Sequence, residues 1–442
     1  MSKSLTLNSM KFHTVNLIVC SHYNIAEYKG LLIGLKYVDF VNQTYTPKPT
    51  DLICDFYVEP LGISIKEAAG GVAAESSVGT WTELTTIKPY VEKLAATVFR
   101  IEGNSIKIAY PIELFENGNM PNILSSVAGN VFGLRALKNL RLNDLILPKD
   151  LVQSFKGPKY GISGVRELLG VKDRPLVGTI IKPKLGLKTK DHAKVAYDAW
   201  RGGCDVVKDD ENLSSQRFNP FDDRLVETLE MRDRAESETG EKKVYMVNIT
   251  AETDEMLKRA QYVKDHGGRY LMVDILTCGF SALQTVRDHD FGLVIHAHRA
   301  GHAAFTKNTK HGISMQVIAK VARIIGVDQL HVGTVVGKMS ETKDEVLENI
   351  NALKIDLHGL NDVLPVASGG LYPGLVPALM NYFGNDFVIQ AGGGIHGHTK
   401  GTVCGATAVR QAVDSTLQGI PLKEYAKSHN ELKIALDLWG AM

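Results

Sequence analysis

Eight short apolar runs, each followed by a loop and then a stretch with helical spacing, succeed one another from Leu176 onward, and this cycle restricts the fold more than any other feature. The runs are Leu176–Pro183, Cys204–Glu211, Val244–Thr250, Tyr270–Leu276, Gly292–Arg299, Gln329–Thr334, Leu364–Gly369 and Phe387–Gly392. They are apolar throughout rather than alternating, as parallel strands covered on both faces are. Between them, Ala251–His266 carries Met256, Leu257, Ala260 and Val263 at helical spacing, and Ile313–Ile325 carries Val317, Ile318, Val321 and Ile324. Eight strand-helix units fit a closed (β/α)8 TIM barrel better than a doubly wound sheet. The preceding segment reads differently. Leu52–Glu59 and Ser105–Tyr110 predict strands, Leu140–Leu147 alternates in part, and Ser64 with Glu67 forms a capping-box signature before the stripe Ile65, Ala68, Ala69, Val72, Ala73. The chain is therefore α/β, with an extension over residues 1–36, a smaller N-terminal α+β domain over 37–155, and a TIM-barrel catalytic domain with C-terminal helices over 156–442.

Composition narrows the function classes. The chain of 442 residues is 44% hydrophobic and 22% charged with a net charge of +1, so no global field favours nucleic acid or an anionic membrane. Cys20, Cys54, Cys204, Cys278 and Cys404 are scattered and odd in number, which fits a reducing, cytoplasmic setting rather than a disulfide framework. The apolar run from Val15 to Cys20 is too short to span a membrane and lacks a cleavage site, so neither membrane nor nucleic-acid partners are expected.

The chemistry sits at the C-terminal ends of the runs, where a TIM barrel builds its active site. Lys208-Asp209-Asp210-Glu211 ends the second run. In isolation it reads as acidic residues in the first turn of a helix. At a buried strand end, carboxylates and a lysine are costly unless paired, and two carboxylates suit a hard cation such as magnesium. The lysine contributes to such a site only when neutralised or converted into an oxygen ligand, as a carbamate is. Lys182 and Lys184 share a face at the first run's end and suit an anionic substrate or a lysine base. Asn248 and Asp274 are candidate hydrogen-bond partners behind the site. His296 and His298 face one way before Arg299 and His302, supplying a possible general base and a phosphate-binding fork, with a zinc site as the rival reading. His331 precedes Gly333-Thr334-Val335-Val336-Gly337-Lys338, which reads as a lid carrying a lysine. Ser368-Gly369-Gly370 and Gly392-Gly393-Gly394 end the last two runs, a usual place for phosphate on backbone N–H groups. Together these parts predict a magnesium barrel forming an enediolate from a small bisphosphate.

The segments GTIIKPKLGL, GGCDVVKDDEN, HAHRAGHA, HVGTVVGKM, PVASGGL and QAGGGIHGH, with AAESSVGTWTEL and AGNVFGLRALKNLRL upstream, resemble Rubisco, ribulose bisphosphate carboxylase/oxygenase, over nearly all of Tyr37–Met442. The archaeal form III branch is the most similar. The resemblance implies carboxylation of ribulose 1,5-bisphosphate by carbon dioxide through a magnesium-bound enediolate, giving two 3-phosphoglycerate, with oxygenation as a side reaction and a role in nucleoside monophosphate (AMP) salvage. It implies activation by carbon dioxide as a carbamate on Lys208, which with Asp210 and Glu211 would bind Mg2+ and would take the C3 proton. Lys182 would be the acid/base that protonates the final carbanion, supported by Lys184. His298 would handle protons in hydration and cleavage, and Lys338 would stabilise the new carboxylate. Arg299, His331, Ser368, Gly369, Gly370, Gln390, Gly392 and Gly393 would bind substrate. Glu75, Thr80, Trp81 and Asn130 would reach it from a partner subunit, making a homodimer, or a multiple of dimers, without a small subunit. Ile180, Gly301 and Ser340 depart from common family residues, and the stretch from Met339 to Asp362 is short. These departures bear on lid closure and on selectivity between carbon dioxide and oxygen.

Two rivals differ in class. A Rubisco-like enolase or isomerase acting on a sulfur-containing pentulose phosphate loses several of these positions, whereas this chain keeps Lys182, His298, His331 and Lys338. A non-catalytic scaffold would have no reason to retain so many polar groups in a barrel mouth.

Overall fold

The computed structural model describes residues 36–442 except 83, 85 and 338–340. The expectations for the extension and for Lys338, Met339 and Ser340 lie outside the described residues.

The N-terminal domain is a mixed sheet. Strands β1 (Leu52–Pro60), β2 (Thr97–Glu102), β3 (Ser105–Tyr110) and β4 (Leu137–Ile146) pair antiparallel, with β1 between β3 and β4 and β2 on the outer side of β3. The sequence reading did not predict β2. β1 alternates buried and part-buried positions, so Leu52, Cys54, Phe56 and Val58 form its core face. The helix Ile65–Glu75 starts at the expected capping box, with Ser64 Oγ accepting from Glu67 N at 3.2 Å and the Glu67 carboxylate accepting from Ser64 N at 2.9 Å. Gly70 within this helix has a packing reason. A Cβ there would lie 1.8 Å from the carbonyl oxygen of Tyr37, because the turn Tyr37–Phe40 lies directly on the helix.

The second half is a closed parallel barrel, as the eight-run cycle predicts. Its strands are β5 (Leu176–Ile180), β6 (Val206–Lys208), β7 (Val244–Asn248), β8 (Tyr270–Asp274), β9 (Val294–His298), β11 (Gln329–His331), β12 (Leu364–Ser368) and β13 (Val388–Gln390), and it closes through β9 and β11. Each strand is shorter than the apolar run that signalled it, because the run continues into the loop after ladder pairing stops. Between β9 and β11 in sequence, β10 (Gly312–Ile313) leaves the barrel and pairs parallel with β4, extending the N-terminal sheet. This corrects the helix expected from Ile313. The helix is Met315–Ile325, capped by Ser314 Oγ accepting from Val317 N. The other expected helix, over Ala251–His266, forms as Thr253–Asp265.

Alternation along the strands sorts the barrel interior by height. Leu176, Val206, Val244, Met246, Tyr270, Met272, Val294, Leu364, Val366 and Val388 pack together in an inner apolar cluster with Val165 and Leu169 of the helix Gly161–Leu169. One step further along the same faces stand Lys208, Asn248, Asp274, His296, Ser368 and Gln390, with His298 a further step along β9 and His331 ending β11. The lower barrel is thus an apolar plug and the upper barrel a polar floor. Among the described residues no helix is long and apolar enough to cross a membrane.

Candidate active site

Lys208 is the last residue of β6 and is 1% exposed. Its Nζ donates to the Asp209 carbonyl at 2.8 Å, touches Met272 Sδ at 3.4 Å and stands 3.5 Å from Glu211 Oε2. Burial pushes the Lys208 ammonium below its ordinary range, against the opposing pull of Glu211 and Asp210. Asp210 lies beyond the strand, so strand alternation does not place it. The loop nevertheless turns its carboxylate to the mouth, where Oδ2 accepts from Lys182 Nζ at 2.7 Å. Burial of Glu211 raises its carboxyl, but Lys208 and then His298 outweigh that and bring it down to about 2. Asn248 Nδ2 donates to the carbonyls of Glu211 at 3.2 Å and Leu213 at 2.9 Å, tying this loop to β7.

Asp209 takes the opposite side and meets a fully buried cluster to which sequence reasoning gave no role. Tyr245 Oη donates to it at 2.6 Å, Asn248 N at 3.0 Å and Arg224 Nε at 3.2 Å, with His192 Nε2 at 3.1 Å. Burial would raise this carboxyl, but Arg224 first and His192 next hold it well below the usual range. No local signal marks this role, because Asp209, like Asp210, lies beyond the end of β6.

The histidines share one relay. His296 Nε2 lies 3.0 Å from His331 Nε2, His331 Nδ1 lies 2.7 Å from Ser368 Oγ, and His296 Nδ1 lies 2.9 Å from Gln329 Oε1. Burial, reinforced by Lys208, lowers His296 to about 3, and burial with His298 lowers His331 well below its ordinary value. Both rings are therefore neutral near pH 7. His298 is the ring that reaches the mouth, 3.6 Å from Glu211 Oε2 and 3.5 Å from Asp274 Oδ1. Among the described residues no group of three or more His, Cys, Asp or Glu converges to hold a metal, either at His296 and His298 or around Asp210 and Glu211.

The remaining mouth residues frame the opening. Lys184 is exposed, with Nζ 3.3 Å from Asn212 Oδ1. Arg299 is buried and bonded to Glu341, a partner the sequence reading did not assign. Gly301 has φ 84, a left-handed conformation that favours glycine. Gly369 and Gly370 follow β12. Gly392 caps the short helix Gly393–His396 and approaches Lys182 so closely that a Cβ would lie 3.2 Å from Lys182 Cε. Gln390 is buried, and neither of its amide atoms has a partner among the described residues. His396, also not singled out from sequence, ties β5 to this loop with Nε2 2.9 Å from Thr179 Oγ1.

The four N-terminal residues do not join this group within one protomer. Glu75 accepts from Tyr37 Oη at 2.8 Å, Trp81 is 81% exposed, and Thr80 and Trp81 line an open cavity with Tyr37 and Ile63. Asn130 is exposed at the start of the short turn Asn130–Gly133. Among the described residues none of the four hydrogen-bonds a barrel-mouth side chain.

The donor set fits magnesium on one condition. Asp210 and Glu211 would supply two oxygen ligands, each of them paired here with a lysine tip, Lys182 and Lys208 respectively. Conversion of the buried Lys208 amine into an oxygen-bearing carbamate would complete a hard, oxygen-only set.

The chain and its fold have known relatives. Residues 161–439 match the family model "Ribulose bisphosphate carboxylase large chain, catalytic domain", and residues 39–151 match the corresponding N-terminal domain. The chain is 50% identical over 422 residues to the ribulose bisphosphate carboxylase of Methanosarcina mazei, covering 91% of this chain and 99% of that protein. It is 51% identical over 410 residues to that of Pyrococcus furiosus, covering 91% and 98%. Among solved structures, octameric Rubisco from Pyrococcus horikoshii in complex with sulfate superposes with a TM-score of 0.90 at 49% identity, covering 92% of this chain and 97% of that one. Dimeric archaeal Rubisco from Hyperthermus butylicus gives 0.86 at 46% identity, covering 92% and 100%. With both family models matched and half the residues shared with archaeal relatives, the chain belongs to the Rubisco large-chain family.

Proposed function

We propose that this protein carboxylates ribulose 1,5-bisphosphate, joining carbon dioxide and water to it and cleaving the product into two 3-phosphoglycerate, with oxygenation as a side reaction. The observation that carries the reading is Lys208, a lysine kept by burial below its ordinary pKa, 3.5 Å from Glu211 and within the field of Asp210, under a mouth lined with lysine and histidine. A neutral amine there attacks carbon dioxide, forms the N–C bond of a carbamate and releases one proton. Magnesium held by that carbamate, Asp210 and Glu211 would supply Lewis-acid polarisation of the sugar oxygens.

The chain's own groups do the rest. The carbamate oxygen accepts the C3 proton, producing the enediolate that attacks carbon dioxide. His298, flanked by Asp274 and Glu211, moves protons during hydration and C–C cleavage. Lys182 Nζ returns a proton to the final carbanion, and its contact with Asp210 aims it at the mouth. Arg299, His331, Ser368 and the glycines 369, 370, 392 and 393 hold phosphates and hydroxyls, with Lys184 and Gln390 lending support. Lys338 would meet the new carboxylate. Glu75, Thr80, Trp81 and Asn130 of one protomer would complete the mouth of another, making the working unit a dimer or a multiple of dimers. The exposure of Trp81 and Asn130 and the dimeric and octameric relatives support this assembly.

The test is incorporation of labelled bicarbonate into acid-stable product. Protein preincubated with magnesium and bicarbonate is given ribulose bisphosphate anaerobically, beside a Lys338→Ala control. Label in 3-phosphoglycerate, lost in the control, is the expected result. No label from folded, magnesium-loaded protein would overturn the reading in favour of an enolase or isomerase of the same fold.

A further inference from the structure

Arg299 follows β9 at the barrel mouth with its guanidinium buried. Its Nη2 donates to Glu341 Oε1 at 2.6 Å, and His302 Nε2 stands 3.7 Å from the same oxygen. The pairing is one-pointed. Arg299 Nη1 and Glu341 Oε2 are both buried, and neither has a partner among the described residues. Gly333 lies beside the pair, where a Cβ would be in ordinary contact with Arg299 Nη2 at 3.5 Å and the Glu341 carboxyl carbon at 3.6 Å.

A buried guanidinium with a spare N–H matches an anion that can engage both prongs of its fork, and a tetrahedral dianion does this better than a carboxylate held through a single oxygen. Glu341 and a phosphoryl group cannot share the seat, because two anions side by side in a poorly solvated pocket repel strongly. We propose that Glu341 is an internal occupant of the Arg299 anion seat, and that a phosphorylated ligand binds there by displacing it. Glu341 is then an affinity- and specificity-determining residue. A ligand must outcompete a resident carboxylate, which a doubly charged phosphoryl or sulfate group does and a singly charged carboxylate does not. The substrate end of this inference rests on the carboxylase reading, while the seat itself rests on the Arg299–Glu341 geometry.

The experiment is calorimetric titration of the full chain with inorganic sulfate, in the absence of ribulose bisphosphate and carbon dioxide. Glu341→Gln is expected to bind sulfate at least about ten-fold more tightly than the unaltered protein, since a like-charge juxtaposition is removed. Adding Arg299→Gln to that variant is expected to abolish the gain, which places the sulfate at this seat. Glu341→Asp keeps the charge but shortens its reach, and is expected to give an intermediate gain; it carries the test if Glu341→Gln does not fold. Folded variants with unchanged or weaker sulfate affinity, or a gain that survives loss of Arg299, would overturn the proposal. A sulfate gain without carboxylase turnover would sink the carboxylase reading and leave the seat standing, and turnover without a sulfate gain would do the reverse.

Discussion

Replacing Asp209 by Asn tests whether the buried cluster behind Lys208 carries the load its geometry implies. Arg224 and Asp209 are both 0% exposed and 3.2 Å apart, so the substitution leaves a buried guanidinium without its counter-ion. Breaking one side of a buried pair costs about 3–5 kcal/mol. Arg224 keeps bonds to the carbonyls of Asn219 at 2.9 Å and Ser214 at 2.6 Å, which favours the lower end. Loss of the charge-assisted bond from Tyr245 adds about 1 kcal/mol. The expected destabilisation is therefore about 4 kcal/mol at pH 7, read by urea denaturation. The pH dependence has a fixed sign. The folded-state pKa of Asp209 lies below its ordinary value of 3.8, so its stabilisation is fully present above that value and is lost as pH falls through the lowered folded value. The gap between the two proteins should stay constant from neutral pH down to about pH 5 and narrow only in stronger acid, below the unfolded carboxylate range. A gap under about 1 kcal/mol at pH 7, well short of a broken buried pair, would refute the reasoning. So would a gap that closes between pH 8 and pH 6. The variant should also need more magnesium for half-maximal activity, because Asn248, whose N–H bonds Asp209, holds the Glu211 loop.

Three further outcomes are expected. Lys208→Met should fold, since the side chain lies against Met272 in the barrel, but it should show no activation by magnesium and bicarbonate together; full activity in that variant would remove the carbamate from the mechanism. In the unaltered protein the rate of activation by carbon dioxide should rise with pH as the Lys208 amine loses its proton, and should do so at lower pH than for an exposed lysine. Trp81→Ala should leave protomer stability nearly unchanged, because the side chain is 81% exposed, while weakening self-association and turnover; sedimentation showing unaltered assembly with full activity would show that Trp81 contributes to neither.

The parts of this protein legible in its sequence are those written in one contiguous stretch. Apolar runs announce barrel strands because burial on both faces demands them, and Ser64 with Glu67 announces a helix start because the cap is local. The polar residues ending each run announce the mouth, since parallel strands all deliver their C-terminal ends to one side. The sequence pattern could not say where pairing stops, so every barrel strand was drawn too long, and it hid β10, a two-residue strand that crosses to the other sheet.

What only the tertiary structure decided is which distant groups meet, and in which charge state. Lys182 meets Asp210 across 28 positions, His192 in the helix after β5 meets Asp209 just beyond the end of β6, and Arg299 meets Glu341 across 42 positions. None of these pairings has a local signature, because each arises where packing of neighbouring strand-helix units brings separate segments together. The lowered pKa values of Lys208, His296 and His331 likewise belong to the closed barrel, since it is the apolar plug beneath and the packed walls around them that remove water from groups which would otherwise hold their charge.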